Sequence, residues 1–265
     1  METKTIDGLT VVFDSEEREA AQLIGQACEK SARLIRECWG LAPPKDLRVY
    51  VMTSWVRPTF HAAPWHWRIL LGATLPLWGL RARRLWRVAG GWAQQYGRRR
   101  MVGIKPPRLI RLSDGSIGER IFVKTDDVEK VQQIACHELV HAFTAHLRLP
   151  VWLHEGLAMV TVDRFLGRPT VKRETVAALA RSPGVASPGK YPRFTTKDVD
   201  AIVVLYVRGY WLTSYIEETQ PGLLKSLFAR RYRHDELESK IASAFGMGRG
   251  EFWRKIDGMV AARLE

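Results

Sequence analysis

The chain has 265 residues, 46% apolar and 10% aromatic, which suits one globular domain long enough to bury a core. Its formal net charge is +13, and its three cysteines, Cys28, Cys38 and Cys136, form no CxxC pair, which argues against a disulfide framework and a cysteine-built metal site. The opening "METKTIDGLTVVFDSEEREA" lacks a basic stretch followed by an apolar one, so a secretory signal is not expected and a reducing cytosol is.

Residues 15–38 predict an amphipathic helix. Ala21, Leu23, Ile24, Ala27, Cys28, Ala32, Leu34 and Ile35 follow a helical period, with acidic residues in the first turn. "LAPPKD" breaks it, and "LRVYVMTS", 47–54, predicts a strand.

Residues 55–104 form a basic, tryptophan-rich insert. Between Asp46 and Asp114 there is no acidic residue, while thirteen basic ones lie there, matching the whole net charge of +13. The apolar run "ILLGATLPLWGL", 69–80, is too short for the ~20 residues that span a bilayer, and Gly72 and Pro76 weaken it as a helix. Trp65, Trp67, Trp78, Trp86 and Trp92 stand among arginines. Three readings stay open. Residues 64–100 dock on an anionic membrane at its inner face, form a nucleic-acid surface, or pack as a lid over a cleft. The mixture of tryptophan and arginine favours membrane over nucleic acid.

"PRLIRL", 107–112, and "ERIFVK", 119–124, predict two strands around the turn "SDGS". "TDDVEKVQQIACHELVHAFTAHLRLP" predicts a helix of about 20 residues, with Thr125 as N-cap and Pro150 beyond its end. "VWLHEGLAMVTVDRF" is a second helix. A short helical piece and a loop rich in Pro, Gly and Ser follow, then a third long helix from Thr195 to Pro221-Gly222. Two more helical stretches finish the chain. Strands first and helices later predict an α+β class: a small mixed sheet, an active-site helix and a mainly helical C-terminal lobe.

The chemistry concentrates in "HELVH". On a helix, His137 and His141 face the same way and can reach one metal ion. Glu138 sits about 100° round the helix from His137, placed to hold an attacking water without being a ligand. A helical pair needs a third ligand from another element, and "PVWLHEGLA" offers Glu155. Two imidazoles and a carboxylate suit Zn2+. Cys136 points away and reads as a packing residue, and His146 as a surface one. His154 is a candidate substrate contact, set against a role as polar lining.

HExxH followed by "PVWLHEGLA" resembles the gluzincins, glutamate-ligand zinc metallopeptidases, nearest their compact peptidase-MA-like families. "VLYVRGYWLTSYIEETQPGLLKSLF" is similar to the helix that follows the site in those proteins. The resemblance covers residues 1–54 and 105–265 and omits 55–104. It implies one zincin-like domain, with an upper lobe over 1–150 and a lower lobe over 151–265. It further implies His137, His141 and Glu155 as ligands and Glu138 as general base. A tyrosine, Tyr206 or Tyr210, would stabilise the oxyanion of a peptide substrate. In zincins a strand before the active helix often edges the cleft, which points to "ERIFVK". One departure is Met159, where many gluzincins carry an aspartate that orients a ligand histidine; another carboxylate, with Asp163 as a candidate, or a backbone carbonyl must take that role. The expected activity is peptide hydrolysis. The alternative is a catalytically silent zincin-fold binding module at a membrane or nucleic-acid surface.

Overall fold

A computed structural model describes residues 1–6, 8–97, 99–112, 116–180 and 199–264. Strands β1 (Glu2–Ile6) and β2 (Leu9–Phe13) lead through a short 3-10 turn to helix α1 (Arg18–Trp39) and strand β3 (Asp46–Val51). Helices α2 (Val56–Ala62), α3 (Trp65–Ala73) and α4 (Leu75–Val88) precede strands β4 (Gly91–Tyr96) and β5 (Arg99–Ile104). Short helices α5 (Pro107–Ile110) and α6 (Ser116–Ile121) come before α7 (Asp127–Thr144) and α8 (Val151–Leu166). The rest is α9 (Ala177–Ala180), α10 (Val199–Thr219), α11 (Leu223–Leu227), α12 (His234–Ala244) and α13 (Arg249–Leu264). The α+β class expected from the sequence is the one observed. Among the described residues no helix is long and apolar enough to cross a membrane.

The chain divides into two compact units. The first comprises Met1–Leu34, Ala42–Gly115 and Lys124–Phe143, and the second Ile35–Leu41, Ser116–Val123 and Thr144–Glu265.

The first unit is built on a five-stranded sheet of order β1-β2-β3-β5-β4. β3 pairs in parallel with β2 and β5, while β1 and β4 are antiparallel edge strands. Alternation along each strand gives the sheet two faces. Val11, Val49 and Val102 align across one of them, all buried. α1 covers that face at Gly25, where a methyl group would overlap the Ile6 side chain and touch Val11. α7 covers the same face at β4: a methyl at Gly91 would come 2.8 Å from Glu138 Cγ. The opposite face carries the row Val12, Tyr50, Gly103, Trp92. There Val12, Tyr50, Met52, Tyr96 and Met101 form a buried cluster with Ala62 and Ala63 from the end of α2, and Trp55, Trp67, Leu71, Trp86 and Trp92 pack against it. Lys105, 3% exposed, donates from Nζ to the Trp86 carbonyl oxygen and lies over the Trp86 ring.

The insert is thus part of the frame. It supplies two strands of five, β5 between β3 and β4, and a helical layer on the sheet face opposite α7. The run 69–80 is helical but breaks at Thr74, and Pro76 falls in the first turn of α4, where its missing N–H costs nothing. Two expected strands are absent. "PRLIRL" begins as helix because Pro107 occupies a first-turn position with its φ preset. "ERIFVK" is the end of α6 and then a brief pairing at Phe122–Val171. The edge strands of the sheet are instead β1 and β4. The "SDGS" turn and the Pro/Gly/Ser-rich loop fall largely outside the described residues, as does the start of the third long helix.

In the second unit α8 and α10 cross with backbones in contact. A methyl at Gly156 would overlap the Gly209 carbonyl oxygen and Thr213 Oγ1, and one at Gly209 would overlap the Trp152 carbonyl oxygen. Only glycine at both positions permits that approach. Arg208 and Asp257, both buried, pair through two hydrogen bonds of 2.9 and 3.0 Å and tie α10 to α13. Buried Glu238 accepts from the indoles of Trp152 and Trp253 and from Arg249. Three helices follow α10 where two were expected.

Candidate metal centre

α7 starts one residue later than the sequence suggests. Asp126 Oδ1, not Thr125, accepts the Glu129 N–H at 2.8 Å, and Asp127 and Glu129 lie in the positive first turn. This start fixes the register of the histidines three turns on. His137 and His141 are half-buried, and their Nε2 atoms stand 3.0 Å apart. Their rings are nearly perpendicular, at 89°. Both nitrogens therefore address one point.

One ligand atom from each of His137, His141 and Glu155 lies within 4.8 Å of the other two, and the group can hold a metal ion. Glu155 is 2% exposed. The donor chemistry fits a small divalent cation. Bonds of about 2.0–2.1 Å in a tetrahedron place neighbouring donors about 3.3 Å apart, close to the separation of the two imidazole nitrogens. A buried carboxylate beside two imidazoles gains a counter-charge when a cation binds.

Glu138 is half-buried beside Gly91 of the edge strand β4. The sequence motifs do not single out Gly91, nor do they show that Gly156 and Gly209 meet and set the packing of the helix bearing Glu155. A glycine inside a helix or strand is the available signal, since it weakens the element unless another backbone or side chain must come close.

The two tyrosines have different surroundings. Tyr210 is buried and donates its hydroxyl to Asp163 Oδ2 at 2.6 Å. Burial pushes its phenol pKa upward, and the Asp163 carboxylate adds to the shift. Asp163 Oδ1 accepts the Thr170 N–H at 2.8 Å and the Thr170 hydroxyl at 2.6 Å. Asp163 is thus engaged with Thr170 and Tyr210, which removes it as the substitute for the missing aspartate. Tyr206, one turn before Tyr210 on α10, is half-buried. Met159 is buried. His154 is half-buried, His146 exposed, and Cys136 fully buried as a packing residue.

Compared with known proteins, the chain matches no family model and no curated protein.

Proposed function

We propose that the chain is a zinc-dependent peptide hydrolase of the gluzincin kind. The observation that carries this reading is the convergence of His137, His141 and Glu155 donor atoms, with Glu138 adjacent in sequence. Two imidazoles and one carboxylate are a donor set that leaves a tetrahedral position open, as catalytic zinc sites do. When bound, the ion supplies Lewis acidity, polarising a carbonyl and lowering the pKa of water.

The chain's own residues supply the rest. Glu138 takes the proton from the attacking water and returns it to the leaving amine. Its carboxylate lies beside β4, whose outer edge has no strand partner among the described residues. An extended peptide can add to that edge through backbone hydrogen bonds and pass Glu138. Tyr206 donates its hydroxyl to the oxyanion as the carbonyl becomes tetrahedral. Tyr210 is left out of this role because its proton is committed to Asp163. His154, beside Glu155, lines the substrate.

Metal analysis of the purified protein tests the reading, together with Glu138→Gln and His141→Ala on an unfolded protein substrate. One zinc per chain is expected. His141→Ala loses tight binding, and Glu138→Gln keeps the metal while losing hydrolysis. A Glu138→Gln protein that cleaves as fast as the parent removes the water-activating role, and undiminished zinc in His141→Ala removes the ligand assignment.

A further inference from the structure

We propose that the outward face of α3 and α4 is a docking surface for an anionic lipid bilayer. The proposal is independent of the hydrolase reading. These helices form the layer over the sheet face opposite α7. Their inward side chains, Trp67, Leu71 and Trp86, pack against the buried cluster. Their exposed side chains include several large apolar ones. Trp65 is 73% exposed, Ile69 65%, Leu70 51%, Leu77 84% and Leu80 69%. A monomeric surface rarely exposes such residues together without a use for them.

Charge selects the occupant. Arg83 and Arg87 lie exposed on the last turns of α4, beyond the leucines, and among the described residues neither has an acidic partner. No acidic residue occurs between Asp46 and Asp114 to compensate them. A second copy docking on this face would bring those arginines against their own images. Nucleic acid would leave the leucines and isoleucine without stacking partners, because Trp65 is the one tryptophan of α3 and α4 that is largely exposed. An anionic bilayer satisfies both chemistries. Aliphatic side chains enter the acyl boundary, Trp65 sits at headgroup depth, and the guanidiniums meet lipid phosphates.

The geometry has a further consequence for the same unit. α7 lies on the other side of the sheet, so the surface of α3 and α4 that docks is not the one that carries Glu138. α3 and α4 therefore do not lie over α7, although β4 of the same insert packs beside it.

The test is co-sedimentation of the full chain with vesicles of phosphatidylcholine alone or mixed with phosphatidylglycerol, across a salt series. Binding is expected on anionic vesicles, about tenfold or more weaker on neutral ones, and reduced but not abolished at high salt. Leu77→Ser/Leu80→Ser is expected to weaken partition about tenfold, with an unchanged melting temperature because both side chains are solvated. Arg83→Gln/Arg87→Gln is expected to remove much of the preference for anionic lipid. Absence of binding to anionic vesicles at low salt overturns the proposal, as does equal binding by the leucine variant. Tighter binding to DNA than to vesicles in the same buffer, or a dimer that the leucine changes dissolve, also overturns it.

Discussion

Tyr206 and Tyr210 lie one turn apart on α10, and their different environments separate two roles that the sequence left joined. If Tyr206 donates to the oxyanion, Tyr206→Phe lowers kcat by about 10²-fold with KM nearly unchanged. Tyr210→Phe is expected to behave differently. It leaves half-buried Asp163 short of one donor, so the loss appears as about 0.5–1.5 kcal/mol of stability rather than in turnover. Steady-state kinetics and urea unfolding on both variants separate the cases, and a Tyr210→Phe enzyme of full stability but poor kcat would reverse the assignment. The thiols follow a similar logic. Cys28 and Cys136 are fully buried and Cys38 is half-buried. Burial pushes the Cys28 thiol up, with Cys136 nearby adding to the shift. A thiolate is the reactive form, so a maleimide added to the native protein should modify Cys38 and spare the other two. Peptide mass spectrometry reads the outcome, and rapid labelling of Cys28 or Cys136 would contradict it.

The α8–α10 crossing is where packing meets chemistry. Glu155 precedes Gly156, and Gly156 touches the α10 backbone at Gly209. Gly156→Ala must push the helices apart, because the nearest obstructing atom, the Gly209 carbonyl oxygen, is backbone and cannot rotate away. Overpacking of this kind costs about 1–3 kcal/mol. Since the displaced helix carries Glu155, metal affinity should fall too. Calorimetric melting and zinc titration of Gly156→Ala check both effects, and an unchanged melting temperature would mean that the helices adjust without cost.

α1, α7, α8 and α10 were legible in the sequence because their signals are local: a helical period or long apolar run, acids in the first turns of α1 and α7, and breakers such as Pro150 and Pro221-Gly222. The ligand histidines were legible for the same reason, being four apart on one such helix. The sheet was not. "ETKTI" and "GWAQQY" are edge strands with few apolar residues, and "RRMVGI" begins with arginines that read as surface. What makes "ETKTI" and "GWAQQY" strands is pairing with the next strand of a hairpin, while "RRMVGI" also pairs with distant β3, and side-chain pattern alone signals neither. The misread strands at 107–112 and 119–124 err in the opposite direction, since β-branched residues outweighed Pro107 and the short helices it permits.

Taken across the chain, charge is segregated, and Lys105 is where a basic residue of the acid-free span between Asp46 and Asp114 enters the interior. Burial lowers its pKa from 10.5 to about 8. Above about pH 8 the folded protein releases this proton while the unfolded chain still holds it. The unfolded state then carries more protons, so unfolding free energy rises with pH between about 8 and 10.5. Lys105→Met lacks this contribution. Urea melts at pH 7, 8, 9 and 10 should show the stability difference between parent and variant shifting in the parent's favour as pH climbs. A difference that stays constant would show that Lys105 does not titrate in this window.

The order of strands also sets a timetable for synthesis. β3 ends at Val51, but the strand that closes its second edge, β5, begins at Arg99. At about 5–20 residues per second, a ribosome needs roughly 2–10 seconds to supply it. During that interval the nascent chain carries an unpaired inner strand ending in the apolar run Val49–Tyr50–Val51, followed by tryptophan-rich segments not yet packed. Chains released after α4 and before β5 should therefore aggregate, whereas those extending past Ile104 can seal the sheet. Vectorial emergence makes the insert the step on which solubility of the growing polypeptide depends.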